Sequence, residues 1–151
     1  MSVYENMKAH GYELPAALSP AGLYVPINRT GNLLYLSGQG SMWQGERLTG
    51  RAGIDVTLEQ AQEAARACML NTLGALHGYL GDLNRVKRVV KILGFVACSD
   101  DFTQQAQVIN GASQVLLDVF GERGRHARSA IGTNNLPLGL TVEIESIFEI
   151  E

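Results

Sequence analysis

Two residues stand out for the chemistry their types and spacing could do. Arg128 lies in a short apolar run, Ala127-Arg128-Ser129-Ala130-Ile131, and Glu143 follows a Leu136-Pro137 turn in Val142-Glu143-Ile144-Glu145. A guanidinium among apolar neighbours is partly withdrawn from water, and a planar carboxylate satisfies it through two parallel hydrogen bonds. A glutamate crowded by other acids is a candidate proton acceptor, because burial and like charge both raise its pKa towards a useful range. Together the pair could hold a carboxylate substrate and activate a water. The same two side chains on neighbouring terminal strands could equally form a cross-strand ion pair without function.

The elements that must position them are legible as periodicities. Ser2 to His10 reads as a short helix with Ser2 as cap and Glu5 three residues on, stopped by Gly11. Leu23–Asn28 and Leu33–Ser37 read as a hairpin around Arg29-Thr30-Gly31-Asn32, broken after Ser37 by Gly38-Gln39-Gly40. Leu48-Thr49-Gly50 offers a short third strand. Thr57 and Gln60 form a capping-box pattern for a long helix whose apolar positions run from Leu58 to Leu80, with Gly81 as its stop. Val86–Cys98 is apolar on both faces towards its end, as a central strand would be. A second helix is expected from about Asp101 to Phe120, ended by Gly121. The last strand alternates, with Val142, Ile144, Phe148 and Ile150 on one side and Glu143, Glu145 and Glu149 on the other.

This order, β-β-(β)-α-β-α-β-β, describes one α+β domain over residues 1–151, with residues 1–14 as an N-terminal extension. Two helices cover one face of such a sheet. The other face must then meet another chain, which predicts a homo-oligomer.

Composition narrows the function classes. The 151 residues are 46% hydrophobic and 18% charged with a net charge of −3, an ordinary globular balance that does not suit whole-protein attraction to nucleic acid. Arg85, Lys87, Arg88 and Lys91 form the one dense basic run, with Arg123 and Arg125 as possible supplements, and a solvated strand start explains them. No apolar run approaches a membrane span, and Met1–His10 has no signal-peptide core, so the cytoplasm is the expected compartment. Cys68 and Cys98 read as small buried hydrophobes rather than a disulfide, and His10, His77 and His126 lack metal-ligand spacing. Gly38-Gln39-Gly40-Ser41 lacks the third glycine of a dinucleotide fingerprint, and Ser37, Ser41 and Ser129 show no His/Asp relay.

The stretch Ala127-Arg128-Ser129, Leu136-Pro137 and Glu143-Ile144-Glu145, with Tyr24-Val25 and Leu36-Ser37-Gly38-Gln39 upstream, resembles the RidA/YjgF/UK114 family over about Pro15 to Ile150. That resemblance implies a chorismate-mutase-like fold, two long helices on one face of a mixed sheet, assembled as a homotrimer with sites in the clefts between subunits. It implies cofactor-independent, metal-free hydrolysis of reactive 2-imino acids and their enamine tautomers to 2-oxo acids and ammonia. Arg128 would clamp the substrate carboxylate and Glu143 would handle the water and the leaving amine. Tyr24, Ser37, Gly38, Asn110 and a backbone donor at Ala130 would line the substrate. A non-catalytic binder of small carboxylates such as 2-oxo acids is the first alternative, and the endoribonuclease or translation-inhibitor role attached to the family is the second. Many members carry cysteine where this chain has Ala130, so no thiol role transfers. The N-terminal extension and the Gly121–His126 approach resemble a longer subgroup.

Overall fold

Helix α1 (Val3–Ala9) starts at Ser2, whose hydroxyl accepts the Glu5 amide hydrogen at 3.1 Å. It is not a loose appendage. Val3 and Met7 are buried, and Asn6 donates to the Val119 carbonyl at 2.9 Å. The hairpin follows as β1 (Ile27–Thr30) and β2 (Leu33–Gly40), then a small ribbon of β3 (Met42–Trp43) and β4 (Glu46–Arg47). The remaining elements are α2 (Leu58–Leu80), β5 (Val86–Ala97), α3 (Gln105–Phe120), β6 (Ala127–Thr133) and β7 (Val142–Ile150). This computed structural model describes residues 2–151.

One mixed sheet has the strand order β1-β2-β7-β5-β6, with β6 parallel to β5 and every other pair antiparallel. Residues opposite one another share a face. Leu34, Phe148 and Val89 share the face packed under α2 and α3, as do Val142 with Val96 and Ile144 with Gly94. Phe148, Leu34, Met69, Leu73, Leu76, Ile92, Ile109, Leu116 and Ile144 are fully buried there. The opposite face has no cover among the described residues. Tyr35 is 44% and Ile131 47% exposed on it, beside half-buried Leu93, Phe95 and Ile147.

The Thr57–Gln60 capping box forms at 2.9 and 3.2 Å, and Gly81 ends α2 in the left-handed region. Alpha-3 crosses α2 closely: a Cβ on Gly111 would strike the Gln62 carbonyl, and Gln62 Nε2 donates to the Gln107 carbonyl at 2.9 Å.

Five expectations need correction. Strand β1 begins at Ile27, because Leu23, Tyr24 and Val25 lie exposed outside the ladder, and Pro26 has no N–H to give to it. The turn is the two-residue Gly31-Asn32, so Arg29 and Thr30 belong to the strand. Gly38-Gln39-Gly40 does not break β2; the register shifts between Leu36 and Gln39 and pairing with β7 resumes. Helix α3 starts at Gln105 rather than Asp101, since Ser99 Oγ donates to Asp101 at 2.8 Å and holds that segment in a turn. The proposed third strand at Leu48–Gly50 is reduced to one bridge, Thr49 to Leu140.

Candidate functional site

The register shift in β2 builds the site. It drops Ser37 and Gly38 over the β7 residue Glu143, where a Cβ on Gly38 would lie 2.6 Å from Glu143 Oε2. Only a residue without a side chain lets the carboxylate sit this close to the strand. Burial, with Glu145 as a like-charged neighbour, raises the Glu143 pKa above the ordinary glutamate range. Ser37 Oγ donates to the Val25 carbonyl at 2.7 Å and ties the exposed segment before β1 to the cleft. Tyr24 is held there by its hydroxyl, which accepts the Ala21 amide at 3.2 Å. Tyr24, Ser37, Gly38, Glu143 and Glu145 thus line one open cleft of about 780 Å³, together with Pro137, Leu138 and Leu140.

Arg128 is not in this cleft. It lies on β6, and β5 separates that strand from β7, so the two strands are not neighbours and the cross-strand ion pair does not form. Arg128 pairs across β5 with Ile92 and so projects to the helix side, whereas Glu143 pairs with Phe95 and projects to the uncovered side. Half-buried at the sheet edge, Arg128 makes no ion pair among the described residues. Its Nη1 donates to Asn110 Oδ1 at 2.7 Å and to Ser113 Oγ at 3.1 Å. Asn110 and Ser113 share one face of α3 at i, i+3 spacing. Nε and Nη2 carry no hydrogen bond among the described residues and remain for an anion. Ala130 lies on the same strand and face as Arg128, paired with Gly94.

The candidate residues therefore form two groups, Tyr24, Ser37, Gly38 and Glu143 on one side, and Arg128, Asn110 and Ala130 on the other. One chain does not bring them together. Ser113 and His126, which support Arg128, were not singled out as its partners by the sequence, although the Asn110–Ser113 spacing and the placement of His126 two residues before Arg128 are visible in it.

The remaining chemistry-bearing groups are quieter. Lys87 and Arg88 pair with Glu149 at 3.6 and 3.5 Å, Arg125 pairs with Glu122, and Arg123 Nη1 donates to the Val86 carbonyl. Among the described residues no cluster of three or more His, Cys, Asp or Glu could hold a metal ion. No helix is long and apolar enough to cross a membrane.

An uncovered mixed sheet of this strand order, backed by two long helices and bearing a glutamate cleft, defines a chorismate-mutase-like α+β protein. A family model described as "YjgF/chorismate mutase-like, putative endoribonuclease" matches residues 5–147. Protein TCP17 of Trypanosoma cruzi is 45% identical over 150 residues, covering 98% of this chain and 94% of that one. The crystal structure of Atu1372, a protein of unknown function from Agrobacterium tumefaciens, is similar at 44% identity and a TM-score of 0.92 over 99% of this chain and 92% of that chain. A structure from Shewanella oneidensis MR-1, carrying the same endoribonuclease label, is similar at 30% identity and a TM-score of 0.96, covering 99% of this chain and 100% of that one. A RidA structure from an Antarctic Psychrobacter is more distant, at 28% identity and a TM-score of 0.61 over 89% and 94% of the two chains. The chain belongs to the YjgF/RidA family.

Proposed function

We propose that this protein is a cofactor-independent deaminase that hydrolyses 2-imino acids, and their enamine tautomers, to 2-oxo acids and ammonia. The observation that carries the reading is the Glu143 carboxylate, half-withdrawn from water against Gly38 in a cleft whose rim holds Tyr24 and Ser37. An anion site at Arg128, with Nε and Nη2 left over, supports it.

In the reaction, Arg128 holds the substrate carboxylate in two-pronged fashion. Water adds through oxygen to the protonated imine carbon while Glu143 takes one of its protons. Glu143 then returns that proton to the nitrogen. The C–N bond breaks, its electron pair leaves with ammonia, and the hydroxyl passes its proton to the freed Glu143 carboxylate, and from there to solvent, as the carbonyl forms. The imine carbon is already electrophilic, so orientation plus one acid–base group is a sufficient set. Because Arg128 and Glu143 face opposite sides of their own sheet, the working site combines Glu143 of one subunit with Arg128 of another, across a homotrimer that covers the open face.

Ammonia release from freshly generated 2-iminobutanoate tests this, with Arg128→Ala abolishing both turnover and 2-oxobutanoate binding. Carboxylate binding without any rate above the spontaneous one would instead make the protein a small-carboxylate binder. An endoribonuclease is not favoured, since most of the basic run is spent on Glu149, Glu122 and backbone carbonyls.

A further inference from the structure

Arg128 is the last link of a chain of hydrogen bonds with one direction. The Gly124 carbonyl, 2.6 Å from His126 Nδ1, can only accept, so Nδ1 carries the ring proton. Nε2 of the neutral ring is then an acceptor, and the Ser113 hydroxyl, 2.8 Å away, donates to it. Ser113 Oγ in turn accepts from Arg128 Nη1 at 3.1 Å, beside Asn110 Oδ1 at 2.7 Å. Each donor meets one acceptor, and the guanidinium is fixed with Nε and Nη2 outward. His126 stands just ahead of β6, two residues before Arg128.

We propose that Ser113 and His126 are positioning residues for the Arg128 anion site, and that the site binds carboxylates tightly only while His126 is neutral. The proposal rests on the reading of Arg128 as the carboxylate clamp. If His126 takes a second proton, Nε2–H and Arg128 Nη1–H both point at the single oxygen of Ser113. The hydroxyl proton loses its acceptor, and two cations converge. Among the described residues the charges around the ring do not relieve this. Arg128 itself comes from β6, and α3 brings the uncharged Ser113. The preceding turn brings Arg125, paired with Glu122, and Arg123, bonded to the Val86 carbonyl. Lys91, the nearest charge on β5, shares its rung with Ile147 of the open face. Burial and the Arg128 charge hold the imidazole pKa below its ordinary value, against the opposing pull of the Gly124 carbonyl, which keeps the ring neutral at physiological pH.

The test is calorimetric binding of 2-oxobutanoate to the full chain between about pH 5.5 and 8 at constant ionic strength. Wild-type affinity is expected to fall towards the acid end, approaching about tenfold where His126 is fully protonated, the loss of a hydrogen bond to a charged group. His126→Gln places a non-titrating acceptor near Nε2 and should bind at pH 8 like wild type, without the acid-side weakening. Ser113→Ala should bind about tenfold more weakly at pH 8 without further weakening in acid, and Ser113→Thr, which restores the hydroxyl, should recover affinity. Protonation of Glu143 would strengthen anion binding in acid, opposite in sign, and the Gln variant isolates it. A His126→Gln profile that tracks wild type, or Ser113→Ala binding equal to wild type at pH 8, overturns the inference alone. Absence of wild-type binding at every pH overturns the clamp reading and this inference with it.

Discussion

At the residue level, the chemistry depends on two side chains that are charged for different reasons. Arg128 keeps its charge whatever its surroundings, so the protein can spend one nitrogen on Asn110 and Ser113 and leave two for a ligand. Glu143 is tuned instead. A carboxyl whose folded pKa is raised is less comfortable ionised in the fold than in the unfolded chain. Its penalty appears as pH rises from the ordinary carboxylate range through the folded pKa, and is complete above it. Glu143→Gln should therefore raise Tm at neutral pH, with the gain vanishing below the ordinary carboxylate range; melting curves at both pH values check this. The same variant should keep 2-oxobutanoate binding and lose about 10²- to 10⁴-fold in kcat, the usual contribution of a positioned acid–base group. The wild-type rate should fall on the acid side as Glu143 protonates.

At the scale of elements, the register shift in β2 is the device that makes the cleft. Gly38→Ala puts a methyl group 2.6 Å from the Glu143 carboxylate and should displace it, costing about a hundredfold in kcat, with circular dichroism reporting an intact fold. The strands and both long helices were legible in the sequence, because alternation and 3.6-residue periodicity are imposed by burial on one face. The Thr57–Gln60 cap and the Gly81 stop were legible for the same local reason. The bulge was not: Gly38-Gln39-Gly40 reads as a break, and only pairing with β7 shows that the strand continues. The start of β1 was misread at Leu23 because apolar residues there face solvent in one chain. Tyr24, Ser37, Gly38 and Glu143, candidates from the sequence, lie around one cleft. The link between Arg128 and its supports was not legible, since it depends on α3 lying over the start of β6, a tertiary fact.

At the scale of the whole molecule, the uncovered sheet face and the divided site ask for the same solution. Tyr35, Leu93, Phe95, Ile131 and Ile147 form an apolar surface on that face, and burying each such side chain contributes about 1.5–3 kcal/mol. Sedimentation should show a trimer at micromolar concentration, and Ile131→Asp should shift it towards monomer. Co-expressed Arg128→Ala and Glu143→Gln subunits should form mixed oligomers that regain part of the turnover absent from either variant alone. Recovery is expected only if each site draws its arginine and its glutamate from different chains. The central claim is tested most directly by ammonia release from 2-iminobutanoate generated in the assay. The account predicts a rate well above the spontaneous one for the wild type and a near-spontaneous rate for Glu143→Gln. A wild-type rate no faster than the spontaneous reaction, with 2-oxobutanoate still bound, would contradict it.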